Sequence, residues 1–334
     1  MAELERVEIA GRQHLRLTTD RLSVELVPAL GGSITSLVAR VPAGAESSPS
    51  SGDTELLWRP PWGLRPGGAA PLPGSASNVA IDSWSAGWLT MFPNGSEAGT
   101  VDGADWPAWG EARLAWCDWR VEGDAVVLTS RLSRSPFELT KTISVVDDTV
   151  TLDESVRNFG EEHVDVVWGS SLTFGEPLVG AHTRFDSGAA LVRPDARQTP
   201  SADYDDILPW PRSYTADGLV NLRGVPDPSH QGVSRTAYLS DFGSFQARVS
   251  NPQLGLGVEL QWEGETWPYL WYQLETGGRF GYPWWGAARF LSLTASTSWP
   301  SAAISEIRRI SATSVRVQPG SSRTAHLQLR VGSG

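Results

Sequence analysis

The stretch Val166-Val167-Trp168-Gly169-Ser170-Ser171-Leu172-Thr173-Phe174-Gly175-Glu176-Pro177 decides the fold. It passes from an apolar strand end into a tryptophan, a small polar pair and a Phe-Gly-x-Pro loop. A strand that ends in this way carries side chains to the mouth of a β-rich pocket, where binding and catalytic groups concentrate. The residues before it are the clearest β region of the chain. Val126, Leu128, Ser130 and Leu132 alternate with mostly polar neighbours. Phe137, Leu139, Lys141, Ile143 and Val145 share one face of a second strand. Asp147-Asp148 makes a turn, and Val150, Leu152, Glu154, Val156 and Asn158 share one face of a third. A fourth strand, Val164 to Trp168, delivers the key stretch. The pattern predicts a meander of antiparallel strands with short connections.

The same alternation extends to both ends. Leu22-Ser23-Val24-Glu25-Leu26-Val27 is stopped by Pro28-Ala29-Leu30-Gly31-Gly32 and resumes at Ile34, Leu37 and Val38, which is strand, turn, strand. Residues 42–54 and 66–78 are rich in Ala, Gly, Ser and Pro and read as loops over a sheet. Residues 186–232 hold many Pro, Asp and Gly and read as long excursions. Strands resume at Phe245–Val249, Gly257–Trp262 and Tyr269–Tyr272, and Ala325–Val331 alternates as a closing strand. Only Ser301–Glu306 suggests a short helix. Residues 1–334 are therefore expected to form one all-β domain, a large sandwich of two antiparallel sheets.

Composition narrows the function. The net charge of −11 argues against nucleic acid and anionic membrane surfaces as partners. Cys117 is the only cysteine, so no internal disulfide can form, and a reducing, cytoplasmic location is expected. The start Met1-Ala2-Glu3-Leu4-Glu5-Arg6 has no basic and apolar leader pattern, and no apolar run is long enough for a membrane span. Sixteen tryptophans against nine phenylalanines is an unusual ratio. An indole offers a wide apolar face and one N–H donor, which suits the C–H face of a sugar ring, although most of these side chains are expected in the core. Phosphate-binding glycine loops, zinc spacings and Gly-x-Ser-x-Gly elbows are missing, so neither cofactor nor metal is expected.

The key stretch resembles a segment of the galactose mutarotase-like (aldose 1-epimerase-related) family, where Trp-Gly precedes His-His-Pro-x-Phe-Gly. Ser170 and Ser171 stand in place of those histidines. Four further segments resemble the family in matching order. Glu25–Ile34 is similar to its first hairpin, and Gly87-Trp88-Leu89-Thr90-Met91-Phe92-Pro93-Asn94-Gly95 to a segment lining its sugar pocket. Pro107-Ala108-Trp109-Gly110-Glu111 parallels Pro-x-His-Gly-Glu, with Trp109 in the histidine's place. Leu270-Trp271-Tyr272-Gln273 and Gly281–Gly286 lead to Leu293-Thr294-Ala295-Ser296-Thr297, which resembles Leu-Glu-Pro-Ser-Thr, with Thr294 where the family has its general base.

The resemblance implies a mutarotase-like sandwich and a sugar or glycoside as partner. It also implies that the usual chemistry is missing. Exchanging anomers needs a base for the C1 hydroxyl proton and an acid for the ring oxygen. Trp109, Ser170 or Ser171, and Thr294 offer no group that titrates near neutrality. Three function readings follow. The first is a carbohydrate-binding protein without standard epimerase activity. The second is a diverged sugar- or glycoside-active enzyme with relocated acid and base, for which Glu111, Asp82 and His163 are candidates. An ordinary aldose 1-epimerase is third. Arg65, Trp88, Asn94, Trp109, Trp168, Ser170 and Glu275 are the expected ligand-binding residues. Exposed strands and aromatics are compatible with a homodimer, and Trp109 in a histidine's place suggests a larger or less polar ligand than a free hexose.

Overall fold

Alternating side chains at 125–158 build the expected meander. In the computed structural model, which describes residues 2–40, 52–63, 66, 74–75, 78, 81–85, 87–216, 218–226 and 232–334, Ala125–Arg131, Phe137–Val146 and Thr149–Asn158 pair antiparallel in sequence. Asp118–Glu122 joins one edge of this group. Ser322–Gly332 joins the other and pairs in turn with Leu256–Trp262. This is one layer of a sandwich.

The second layer starts with Glu3–Ile9, Arg12–Thr18, Leu22–Val27 and Ser33–Ala39, paired in order. It continues through Trp88–Met91, Gly169–Phe174, Arg289–Ser296 and Tyr269–Thr276 to the first half of Ser234–Asn251. That 18-residue strand joins the layers: residues 234–239 pair with Tyr269–Thr276, and residues 246–251 pair with Leu256–Trp262.

Three expectations need correction. Residues 186–232 are not excursions throughout, because Arg184–Pro194 is an 11-residue strand lying along Ser234–Asn251. Asp186, Ser187 and Gly188 break its apolar alternation, and the register shifts between Ser187 and Ala189. A Cβ on Gly188 would stand 2.1 Å from the Ser244 carbonyl oxygen, so only glycine permits this approach. The fourth strand also divides. Val164–Val166 pairs with Val315–Val317, and a separate strand, Gly169–Phe174, enters the large sheet. Between them the Val167 N–H donates to Pro93 O at 2.8 Å and the Trp168 N–H to Thr297 Oγ1 at 3.0 Å, so the ladder is interrupted. The short helix is Ile304–Ile310, displaced from Ser301–Glu306.

The main core fills the space between the layers, with Phe92, Phe137 and Trp168 packed edge to face. Burying each such ring stabilises the fold by roughly 1.5–3 kcal/mol. Inside it lies a polar knot. Lys141 and Glu154 stand 3.7 Å apart, Lys141 Nζ donates to Gly31 O, and Glu154 accepts from Thr90 Oγ1 and Trp168 Nε1. Such a buried pair is held by its hydrogen bonds, because desolvation opposes the charge attraction.

Candidate functional site

The outer face of the second layer carries the site. Residues directly opposite in an antiparallel ladder share a face. Thr236 opposes Gln273, Gln273 opposes Ser292, Trp271 opposes Thr294, and Thr294 opposes Ser171. A polar stripe therefore crosses four strands. Two smaller apolar clusters cover this face on either side. One contains Met91, Trp106, Tyr238, Trp271, Trp299 and Ile307, with Trp109 packed against it. The other contains Trp58, Ala288 and Phe290, with Trp84 and Trp284 packed against it.

A cavity of about 430 Å³ has lining from both clusters and from the stripe. Its floor includes Thr236 and Gln273. Trp109, Ala108 and Ser96 contribute on one side, and Ile81, Trp84 and Trp284 on the other. Glu97, Arg197, Gln198, Arg279 and Ser301 complete the polar lining. The volume lies within the range of small-molecule pockets.

Local structure fixes these groups. Trp109 has φ +66°, a left-handed conformation rare for a bulky side chain. Its N–H donates to Gly95 O at 2.6 Å, and its ring meets Trp271 edge-on at 6.2 Å. Gly110 follows at φ +72°, where a Cβ would stand 2.0 Å from Phe92 O. Arg197 is held on every side. It donates to Glu97 Oε1 at 2.6 Å, to both oxygens of the buried Asp195, and to Ser301 O. Burial opposes the Arg197 charge, yet the carboxylates of Asp195 and Glu97 favour it, and its pKa is raised. The Tyr238 hydroxyl donates to Asp195 Oδ2 at 2.8 Å. Burial, reinforced by Asp195, pushes its pKa well up, so it stays protonated.

The three positions associated with epimerase chemistry converge in part. Thr294 Oγ1 donates to Ser171 Oγ at 2.9 Å, and Ser292 links this pair to Thr173. All four hydroxyl groups belong to buried residues on the stripe side of the sheet. Trp109 lines the cavity. Ser170 faces the opposite way, where its Oγ accepts from Trp88 Nε1 at 2.7 Å.

Other candidates lie elsewhere. Trp88 and Trp168 are buried in the main core, because their strand parity turns them inward. Asn94 is fully buried; its amide donates to Glu97 O and Pro107 O and accepts from the Ile304 N–H. Glu111 accepts from the Ser133 and Arg134 N–H groups and the Ser135 hydroxyl, which places it in a loop-capping role. Asp82 accepts from the Tyr282 hydroxyl at 2.7 Å beside the cavity residue Ile81. Glu275 is buried behind Arg279 and accepts from the Gly278 and Arg279 N–H groups. Burial raises its pKa. His163 is exposed near Asp165, which Arg316 and Arg308 hold, because it lies in the loop before Val164–Val166, a strand outside the large sheet. Arg65 lies outside the described residues.

Arg197, Gln198, Glu97, Thr236 and Arg279 were not found by sequence reasoning. Gln273 and Trp284 lie in segments quoted for the resemblance, and that was their only signal. Arg197 sits in a Pro- and Asp-rich stretch with no periodic pattern.

No protein-family model and no curated protein matches this chain. Solved structures do. A galactose mutarotase-like protein from Clostridium acetobutylicum superposes with a TM-score of 0.64 at 13% identity, covering 100% of this chain and 99% of its own. A galactose mutarotase related enzyme from Lactobacillus acidophilus gives 0.64 at 14% identity, covering 96% and 97%. A candidate aldose 1-epimerase from Klebsiella pneumoniae gives 0.68 at 13% identity, covering 99% and 83%. With the two-layer antiparallel architecture and a cavity on its outer face, these similarities show that the chain has the galactose mutarotase-like fold.

Proposed function

We propose that this chain is a carbohydrate-binding protein of the aldose 1-epimerase-like fold that lacks the acid–base pair of an epimerase. The observation that carries this reading is the chemistry of Ser171, Thr294 and Trp109. Two of them are hydroxyl partners in a buried cluster, and the third is an indole wall. None exchanges a proton near neutrality. The rest of the cavity suits a polyol. Trp84, Trp109 and Trp284 offer faces for C–H stacking, while Gln198, Gln273 and Thr236 offer donors and acceptors in both directions.

The enzymatic alternative needs a relocated pair. Glu97 is the one carboxylate lining the cavity among the described residues, and Arg197 holds it at 2.6 Å. No described histidine lines the cavity to serve as its acid. The test is NMR on glucose, galactose and xylose, reading anomeric exchange and saturation transfer together. The expected result is exchange at the buffer rate with transfer from the protein to at least one sugar. Accelerated exchange would overturn the loss of catalysis, and absence of transfer to every sugar would overturn carbohydrate binding.

A further inference from the structure

One loop beside the cavity faces two ways. Residues 277–288 supply Arg279 and Trp284 to the cavity lining. The other large aromatic residues of the loop lie outside that lining and face solvent: Phe280 is 82% exposed, Trp285 68% and Tyr282 45%. Single exposed apolar side chains are ordinary, but three large rings on one loop at a cavity form a patch of the kind that marks a binding surface.

The loop is tied down, so these rings are presented in place. The Trp285 N–H donates to Gly281 O, the Gly286 N–H to Arg279 O and the Ala287 N–H to Trp284 O, each at 2.8 Å. The Tyr282 hydroxyl donates to Asp82 Oδ1 at 2.7 Å. A Cβ on Gly286 would stand 3.2 Å from Phe280 Cε1, so the Phe280 ring rests against the loop's own backbone next to Trp285. Trp285 itself has φ +49°, a left-handed conformation that costs free energy for a bulky side chain. Strain of this sort concentrates at ligand clamps. Trp109, on the cavity wall, is the other aromatic residue with such a φ among the described residues.

The rim is apolar where the cavity is polar. Gln198, Gln273 and Thr236, which suit sugar hydroxyls, line the cavity. Phe280 has no polar atom, and the Tyr282 hydroxyl is already engaged by Asp82. A second sugar ring would need donors and acceptors at the rim, whereas an aromatic ring needs only faces and edges.

We propose that Phe280, Tyr282 and Trp285 form an aglycone subsite and that the ligand is a glycoside with an aromatic aglycone. This rests on the carbohydrate-binding reading and names its substrate class. The sugar occupies the cavity, and the aglycone lies across the exposed rings.

The experiment is calorimetric titration with the methyl and phenyl glycosides of glucose, galactose and xylose, in both anomers, and with phenol alone. At least one phenyl glycoside is expected to bind about tenfold or more tighter than its methyl counterpart, and phenol much more weakly than that glycoside. The double variant Phe280→Ser with Trp285→Asn, in which asparagine tolerates the left-handed backbone, is expected to remove the preference and leave methyl glycoside affinity within about twofold. If the variant fails to fold, saturation-transfer NMR on the unaltered protein decides instead: the phenyl protons should receive at least as much saturation as the sugar-ring protons. Equal affinity for every methyl and phenyl pair, a preference that survives the double variant, or phenyl protons left unsaturated overturns the aglycone subsite and leaves the carbohydrate reading standing. Phenol binding as tightly as the glycosides overturns the glycoside class. Self-association in sedimentation that the double variant abolishes assigns the rim to a second copy of the chain and overturns the subsite. No binding of any glycoside overturns the carbohydrate reading and the subsite with it.

Discussion

Asn94→Ala separates a ligand contact from a structural tie. Asn94 is completely buried, and its side chain joins three segments. Nδ2 donates to Glu97 O at 2.6 Å and Pro107 O at 3.2 Å, with Trp106 O marginal at 3.5 Å. Oδ1 accepts from the Ile304 N–H at 2.9 Å. Ile304 opens the helix Ile304–Ile310, and its N-cap Ala303 supplies no side-chain bond. Asn94 thus caps that helix from 210 residues away in the chain, satisfying an N–H that the helix itself cannot. Three well-formed bonds at about 1 kcal/mol each, with the added desolvation of the groups left behind, give a loss of about 3–4 kcal/mol. Urea unfolding is the assay, and the midpoint should fall with the slope unchanged. Asn94→Asp sharpens the test: it keeps the acceptor for Ile304 and turns a second acceptor toward two carbonyls, so it should not restore stability. A loss below about 1 kcal/mol, or full rescue by aspartate, would refute the reasoning.

Two further perturbations address buried groups. Trp168→Phe keeps most of the ring volume but removes the donor to Glu154 Oε2 at 3.0 Å, so unfolding free energy should drop by about 1–3 kcal/mol with sugar binding unchanged; lost binding without lost stability would return Trp168 to the ligand site. The Glu25 carboxyl is lowered from 4.5 to about 2, first by His14, which stands 3.8 Å away, and then by the Arg16 guanidinium at 2.7 Å. Because the folded value is depressed, its contribution is present above the ordinary value and lost as pH falls through about 2. Urea unfolding across that window should show a declining limb that Glu25→Gln flattens, and an unchanged limb would remove Glu25 as its source.

Period-two alternation is a local property, and it was legible wherever one face of a strand meets the core. Leu22–Val27, Phe137–Val146 and Thr149–Asn158 therefore appeared in the sequence with nearly their observed bounds. Arg184–Pro194 did not, because its stability comes from pairing with a strand 50 residues on, and its bulge interrupts the pattern. The candidate site divides in the same way. Trp109 was found through a short motif. Trp88, Asn94 and Glu111 were found through equally good motifs, yet their polar atoms are used within the fold.

The sequence by itself determined the all-β class, the meander and the absence of titrating groups at Trp109, Ser171 and Thr294, since residue identity and nearest-neighbour spacing suffice for each. The tertiary structure alone decided which face of each strand looks into the cavity. Trp168 keeps the parity of Ser170 and turns to the core, while His163 lies outside the large sheet in an exposed loop. It also decided that Arg197 meets Glu97, 100 residues away in the chain. Whether a charge is neutralised depends on groups distant in the chain and a few ångströms away in space.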